Sequence, residues 1–291
     1  MGIPEPSTPA GAAGLAALLA EPRRAVVALD FDGTLAPIVA DPDQARAHPD
    51  AVPALARLAP LVDTVVVVTG RPAGVAVRHG GFAGVPGLEN LTVLGHYGAE
   101  RWDARSGEVH APAVHPGIAA VRAELPGFLD SEGAWQGVWI EDKGRAVAVH
   151  TRRADDPEAA FAALDAPLHE LAARNGLVVE PGRMVLELRP PGVDKGVALT
   201  GFLTERRAGS VLYAGDDLGD IAAFDAVEKL RASGLPGVLA YSAPTTDEPP
   251  LAAIAGRADL VVPGPAGVVA LLAALADRLG GTASGAAASA P

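Results

Sequence analysis

Apolar residues in this chain fall into short unbroken runs, separated by stretches in which they recur every three or four positions. The first run, Ala25-Val26-Val27-Ala28-Leu29, ends abruptly in Asp30-Phe31-Asp32-Gly33-Thr34-Leu35. Its length and its turn-forming boundary predict a strand buried on both faces. Pro37 to Pro49 is loop-like. A helix follows, with Asp50 as its cap and Val52, Leu55 and Leu58 along one face. The β-branched run Thr64 to Val68 predicts a second strand and leads into Thr69-Gly70-Arg71-Pro72. Strand, helix, strand in this order implies a right-handed crossover and a parallel sheet. A third run, Leu91 to Leu94, leads into Gly95-His96-Tyr97-Gly98-Ala99-Glu100.

The pattern changes after Trp102. Gly137 to Lys143 and Ala146 to Arg152 flank Gly144-Arg145 and predict a hairpin. A helical stretch from Asp156 to Asn175 carries Phe161, Leu164, Leu168 and Leu171, with Gly176 as its stop. Leu177 to Glu180 and Met184 to Arg189 predict a second strand pair. Hairpin-joined strands make an antiparallel α+β module. From Val193 the βα pattern returns: a helix from Lys195 to about Arg206, a strand Ser210 to Ala214 ending in Gly215-Asp216-Asp217-Leu218-Gly219-Asp220, a helix with Ala222, Ala223 and Val227, strands at Val238 to Tyr241 and Leu260 to Val262, and a closing helix from Val268 to Leu279. The expected class is α/β: a Rossmann-like parallel-sheet core over 22–104 and 194–279, interrupted by an α+β module over 105–193. A short helix is expected within 1–21 and a disordered tail over 280–291.

Composition narrows the function. The chain has 291 residues, 49% hydrophobic and 20% charged, as soluble globular proteins do. Its net charge of −12 argues against nucleic acid or an anionic membrane as partner. It has no cysteine, which removes disulfides, thiolate catalysis and cysteine-based metal sites. No apolar run reaches the ~18 residues of a membrane span, and no basic region precedes the Gly14–Ala20 patch as a secretory signal requires. A cytoplasmic monomer is expected.

Four clusters sit at strand ends or helix starts: Asp30/Asp32, Thr69-Gly70, Lys195 and Asp216/Asp217/Asp220. Taken singly, each reads as a turn, a cap or a solvated acidic loop. Taken together, they stand where open α/β sheets bind ligands, beyond the carboxyl ends of the strands. Carboxylates converging on one spot call for a hard cation with oxygen ligands, and Mg²⁺ is the usual one beside phosphates. A lysine, a threonine hydroxyl and backbone N–H groups suit a phosphoryl group. A carboxylate beside the cation is placed to attack phosphorus.

Asp30-Phe31-Asp32-Gly33-Thr34, with the other three clusters in the same order, resembles the signature of the haloacid dehalogenase (HAD) superfamily of phosphatases. The resemblance implies the HAD fold with an inserted cap that sets substrate specificity. It implies Asp30 as nucleophile forming a phospho-aspartate, and Asp32 as general acid and then base. Thr69, Gly70 and Lys195 would hold the phosphoryl oxygens. Mg²⁺ would be held by Asp30, the Asp32 carbonyl and Asp216, with Asp217 or Asp220 supporting.

Within the insert, Glu141-Asp142-Lys143, Val149-His150-Thr151-Arg152 and the stretch from Gly182 to Pro190 resemble trehalose-6-phosphate phosphatases, as does Gly95 to Glu100. That resemblance implies hydrolysis of trehalose 6-phosphate, with Glu141, Lys143, Arg183 and Glu187 gripping sugar hydroxyls, His150 and Arg152 nearby, and Arg71 in the substrate set. One departure stands out. The family follows its Gly-Asp-Asp with x-Thr-Asp-Glu, whereas this chain has Leu218-Gly219-Asp220-Ile221. Other readings stay open: a phosphatase for sucrose, mannosylglycerate or glucosylglycerol phosphate, and a catalytically silent sugar-phosphate sensor.

Overall fold

A computed structural model describes residues 2–39, 41–133, 135–182, 184–245 and 251–287. In chain order the first elements are α1 (Pro9–Ala20), β1 (Ala25–Leu29), α2 (Ala51–Leu58), β2 (Thr64–Val68), α3 (Ala73–Gly80), β3 (Leu91–Gly95), β4 (Glu100–Asp103) and β5 (Val109–His110). An insert follows with α4 (Pro116–Ser131), β6 (Trp139–Asp142), β7 (Val147–His150), α5 (Pro157–Arg174), β8 (Val178–Gly182) and β9 (Val185–Arg189). The chain then continues through α6 (Lys195–Arg206), β10 (Ser210–Gly215), α7 (Ile221–Ala232), β11 (Gly237–Ala243), α8 (Ala252–Ala255), β12 (Leu260–Pro263) and α9 (Gly264–Ala287). Two units result: residues 1–111 with 194–291, and residues 112–193.

The larger unit is built on an eight-stranded sheet in the order β12-β11-β10-β1-β2-β3-β4-β5. All pairs from β12 to β3 are parallel; β4 and β5 add antiparallel at one edge. Successive side chains of a strand point to opposite faces. Val27 and Leu29 thus join one core with α2 and α9, while Val26 and Ala28 join another with Leu199, Phe202 and Phe224. That double burial is why β1, β2 and β10 read as unbroken apolar runs. The chain leaves β1 toward β2 on one side and is paired by β10 on the other, so the sheet's topological switch point lies beyond β1.

Helix α1 packs on the β10–β11 side through Gly11, Gly14 and Leu18. Its approach needs glycine: a Cβ on Gly14 would overlap the Gly237 carbonyl. The buried Asp259 ties the same region together. It accepts from the Thr8 hydroxyl, the Arg231 guanidinium and, at 2.7 Å, the Leu239 N–H.

The smaller unit is a four-stranded antiparallel sheet, β6-β7-β9-β8, with α4 and α5 on one face. Val147, Val149, Leu186 and Leu188 face those helices. Register pairs Glu141 with Ala148, Ala148 with Glu187 and Glu187 with Glu180, so these residues share the opposite face.

Three expectations change. The insert begins at 112, not 105, because β5 pairs with β4 through Arg101↔His110 and Trp102↔Val109 and so belongs to the large sheet. The closing helix runs to Ala287, through most of the stretch expected to be disordered. A helix already formed extends by one backbone hydrogen bond per residue and needs no apolar face to do so. Residues 288–291 lie outside the described residues. Helix α4 is an addition, and Asp50 precedes α2 without a side-chain capping bond.

Two glycine-to-alanine changes should act in opposite directions. Gly201→Ala, where a Cβ meets nothing within 4 Å, should stabilise by roughly 0.5–1 kcal/mol through helix propensity. Gly14→Ala should destabilise by roughly 1–3 kcal/mol, because α1 must shift off Gly237. Urea denaturation of both variants reads the two signs.

Candidate active site

Asp30 follows β1 directly and is 4% exposed. Its N–H donates to Ala214 O at 2.9 Å, which draws the end of β1 against β10. The chain then turns sharply: the N–H groups of Leu35 and Ala36 both donate to Phe31 O, and Gly33 takes a φ of 77°. Glycine is required at 33 for a second reason, since a Cβ there would overlap the Asp216 carboxylate. Ser242 Oγ on β11 donates to Gly33 O at 2.7 Å and fixes the turn from the neighbouring side.

Lys195, the first residue of α6, reaches this point from another part of the chain. Its Nζ lies 2.8 Å from Asp30 Oδ1 and 2.8 Å from Asp220 Oδ1, with all three side chains buried. Asp220 is fully committed. Oδ1 also accepts from Tyr213 Oη at 2.5 Å, and Oδ2 accepts the N–H groups of Asp216 and Asp217 at 2.8 and 3.1 Å. Asp217, expected among the metal ligands, also caps its own loop by accepting from Gly219 N–H at 2.9 Å on one oxygen. The same reciprocal cap accounts for Leu218-Gly219-Asp220-Ile221, which closes the loop without the family's threonine or glutamate.

The electrostatics follow from burial. Desolvation raises the Asp30 carboxyl well above its usual range; Lys195 opposes this, while Asp220, Asp217 and Asp32 add to it. Asp216 is raised by burial and then by Asp30 and Asp220. Burial alone would lower Lys195, but Asp220 and Asp30 outweigh it and hold the ammonium well above its usual value. One lysine does not balance this carboxylate density.

Oxygens of Asp30, Asp216 and Asp220 lie within 4.8 Å of one another. With Asp220 occupied by Lys195, Tyr213 and two amides, Asp30 and Asp216 are the carboxylates left to converge. All-oxygen donors whose charged forms are disfavoured by each other fit a divalent cation.

Asp32 is held differently. Arg71 Nε donates to Oδ2 at 2.7 Å and the guanidinium NH2 group donates to Oδ1 at 2.8 Å, a two-point grip. The Arg71 guanidinium also lies 3.4 Å from His79 Nδ1 and 5.8 Å from the Phe31 ring centroid. Arg71, expected in the substrate set, therefore meets a carboxylate of the chain itself. Thr69 is buried, and its Oγ1 accepts from Arg71 N–H at 3.2 Å, which leaves the hydroxyl proton free to donate outward.

In the smaller unit, the polar face of the sheet carries paired charges. Lys143 Nζ bonds Glu187 Oε2. His150 Nε2 lies 2.7 Å from Glu141 Oε2, and its ring stacks on Trp139 at 4.4 Å. Glu187 is 3% exposed, and its Oε1 has no partner among the described residues. Arg152 is exposed, and Arg183 lies outside the described residues.

Sequence reasoning missed Tyr213 and Ser242. An aromatic inside a buried strand reads as core, and a serine on a strand reads as neutral; only three-dimensional register brings them to the site.

The family model described as trehalose-phosphatase matches residues 28–251. A Mycobacterium avium trehalose-phosphate phosphatase is 37% identical over 233 residues, covering 78% of this chain and 56% of the relative. The chain thus spans little more than half the length of that relative. Among solved structures, the C-terminal domain of a Candida albicans trehalose-6-phosphate phosphatase aligns with a TM-score of 0.71 at 21% identity, over 95% of this chain and 99% of that one. A haloacid dehalogenase-like hydrolase from Bacteroides thetaiotaomicron aligns with a TM-score of 0.56 at 16% identity, over 85% of this chain and 97% of that one. These likenesses give the HAD fold. With three-quarters of its length matched by the family model and a relative of this identity, the chain belongs to the trehalose-phosphatase family.

Proposed function

We propose that this chain hydrolyses trehalose 6-phosphate to trehalose and inorganic phosphate, with Mg²⁺ bound. The observation that carries the reaction is Asp30, buried against Lys195 beyond the switch-point strand, with Asp32 two residues on in the grip of Arg71. The substrate comes from the family and from the names of its relatives.

A carboxylate oxygen of Asp30 attacks phosphorus, and the ester bond to the sugar breaks. Asp32 gives a proton to the departing oxygen. Arg71 takes one acceptor site on each Asp32 oxygen and orients the carboxyl for this transfer. Asp32 then takes a proton from the water that opens the phospho-aspartate and releases phosphate. Thr69 and Gly70 donate to the phosphoryl oxygens, and Lys195 balances charge shared by Asp30 and phosphate. Asp30, the Asp32 carbonyl and Asp216 would hold Mg²⁺, which supplies positive charge at the phosphoryl oxygens.

In the smaller unit, Glu141, Lys143 and Glu187 are assigned to the sugar. Glu187 Oε1, which has no partner among the described residues, supports this, since a buried carboxylate oxygen calls for a donor and a sugar hydroxyl is one. His150, Arg152 and Arg183 complete that set.

Phosphate release from a panel of sugar phosphates, with Mg²⁺ and with a chelator, tests the assignment. Trehalose 6-phosphate should be turned over fastest, and chelation should abolish release. Comparable rates across the panel would remove the trehalose assignment. Asp30→Asn should reduce turnover by at least about a thousandfold. Glu187→Gln should lower kcat/KM on trehalose 6-phosphate by about 10- to 100-fold, the worth of a charge-assisted hydrogen bond. On a small aryl phosphate the same variant should stay within about threefold, as that ester has no sugar to hold. Equal losses on both esters would take Glu187 out of sugar recognition.

A further inference from the structure

His96 and Tyr97 are consecutive non-glycine residues in left-handed backbone, with φ of 47° and 56°. Residues with side chains persist there only when their surroundings impose it, and such sites gather at ligand-binding elements. The surroundings here are the loop after β2. His96 N–H donates to Arg71 O and Tyr97 N–H donates to Thr69 O, each at 2.9 Å. Those two carbonyls flank Gly70. The Tyr97 ring closes over Gly70 itself: a Cβ built there would lie 2.7 Å from Tyr97 Oη and 2.8 Å from Cζ. Three residues further on, Glu100 Oε2 accepts the N–H of Ala73, the first residue of α3, at 2.8 Å.

One short segment thus holds Thr69, Gly70, Arg71 and the start of α3. A turn between β3 and β4 alone would ask for glycine at a left-handed position, not tyrosine. We propose that Tyr97 is a positioning residue for phosphoryl transfer. Its ring, carried by the strained backbone, packs on Gly70 and fixes the orientation in which Thr69 and Gly70 receive the phosphoryl oxygens. This rests on the phosphatase reading above. The effect attaches to the phosphoryl group, which every ester shares, and so differs in kind from that of a sugar-gripping residue.

Three variants of the full chain test it: Tyr97→Gly, which takes the left-handed backbone freely, Tyr97→Phe, which keeps the ring, and Gly70→Ala. Kinetics on trehalose 6-phosphate and on an aryl phosphate are compared with calorimetric binding of inorganic phosphate, all with Mg²⁺ present. Tyr97→Gly should lose about tenfold in kcat/KM on both esters alike, as sub-ångström misplacement does. It should weaken inorganic phosphate binding to a similar degree while holding or raising the thermal midpoint. Tyr97→Phe should stay near wild type. Gly70→Ala should be impaired, and adding Tyr97→Gly should recover part of the loss. Wild-type kinetics and phosphate affinity in Tyr97→Gly would overturn the proposal, as would a loss confined to the disaccharide ester, or a Gly70→Ala defect of equal size in both backgrounds. A wild-type chain that binds phosphate but hydrolyses neither ester would sink the phosphatase reading instead, and the phosphate affinities of the variants would still decide the role of Tyr97.

Discussion

Lys195 is the point on which the site depends. It is a buried ammonium shared between Asp30 and Asp220, and the three groups come from three distant parts of the chain. A buried charge is tolerable only when paired and hydrogen-bonded, and removal of one partner leaves the other stranded. Asp220 meets this demand by spending both oxygens, on Lys195, Tyr213 and two backbone amides. Asp30 has one oxygen on the lysine and sits where the sheet opens. The same constraint that holds the site together therefore separates a carboxylate fully engaged by the fold from one that keeps an oxygen for the site. Asp216 completes the division from the Gly33 side, where the absence of a side chain lets it approach.

Much of this was legible in the chain. Strands buried on both faces leave unbroken apolar runs, so β1, β2 and β10 announced themselves, and the polar residues that ended them stood at the ligand-binding edge. Asp30, Asp32, Thr69 and Asp216 stood out as candidates by that logic and Lys195 by its place at a helix start, while their roles came from the family resemblance. What escaped depended on register or on diluted patterns. In α4 the buried residues Ile118, Val121 and Leu125 keep helical spacing, but Pro126 and glycines at 117 and 127 obscure it. The bond between Arg71 and Asp32 joins positions 39 apart, and no spacing rule foretells it. Asp217 and Asp220 were indistinguishable as letters; in the folded loop Asp220 takes the lysine, Tyr213 and two amides, while Asp217 takes only the amide of Gly219 among these groups.

Under the proposed function, the two units divide the chemical work as they divide the fold. The parallel sheet concentrates carboxylates, one lysine and amide donors, a set suited to phosphorus whatever it is attached to. The antiparallel sheet offers a row of charged side chains opposite its helices, a set suited to hydroxyl groups. This accounts for the unequal reach of the motifs: those of the first unit name a reaction, and those of the second bear on a substrate.

Asp259 has a consequence far from the chemistry. A single buried carboxylate receives the N-terminal segment at Thr8, the end of α7 at Arg231 and the backbone of β11 at Leu239. These partners share one pair of oxygens, so none can leave without unbalancing the others. The N-terminal helix and that flank of the sheet should therefore open as one cooperative block rather than fray piecemeal. Amide protons there would exchange with solvent in concert.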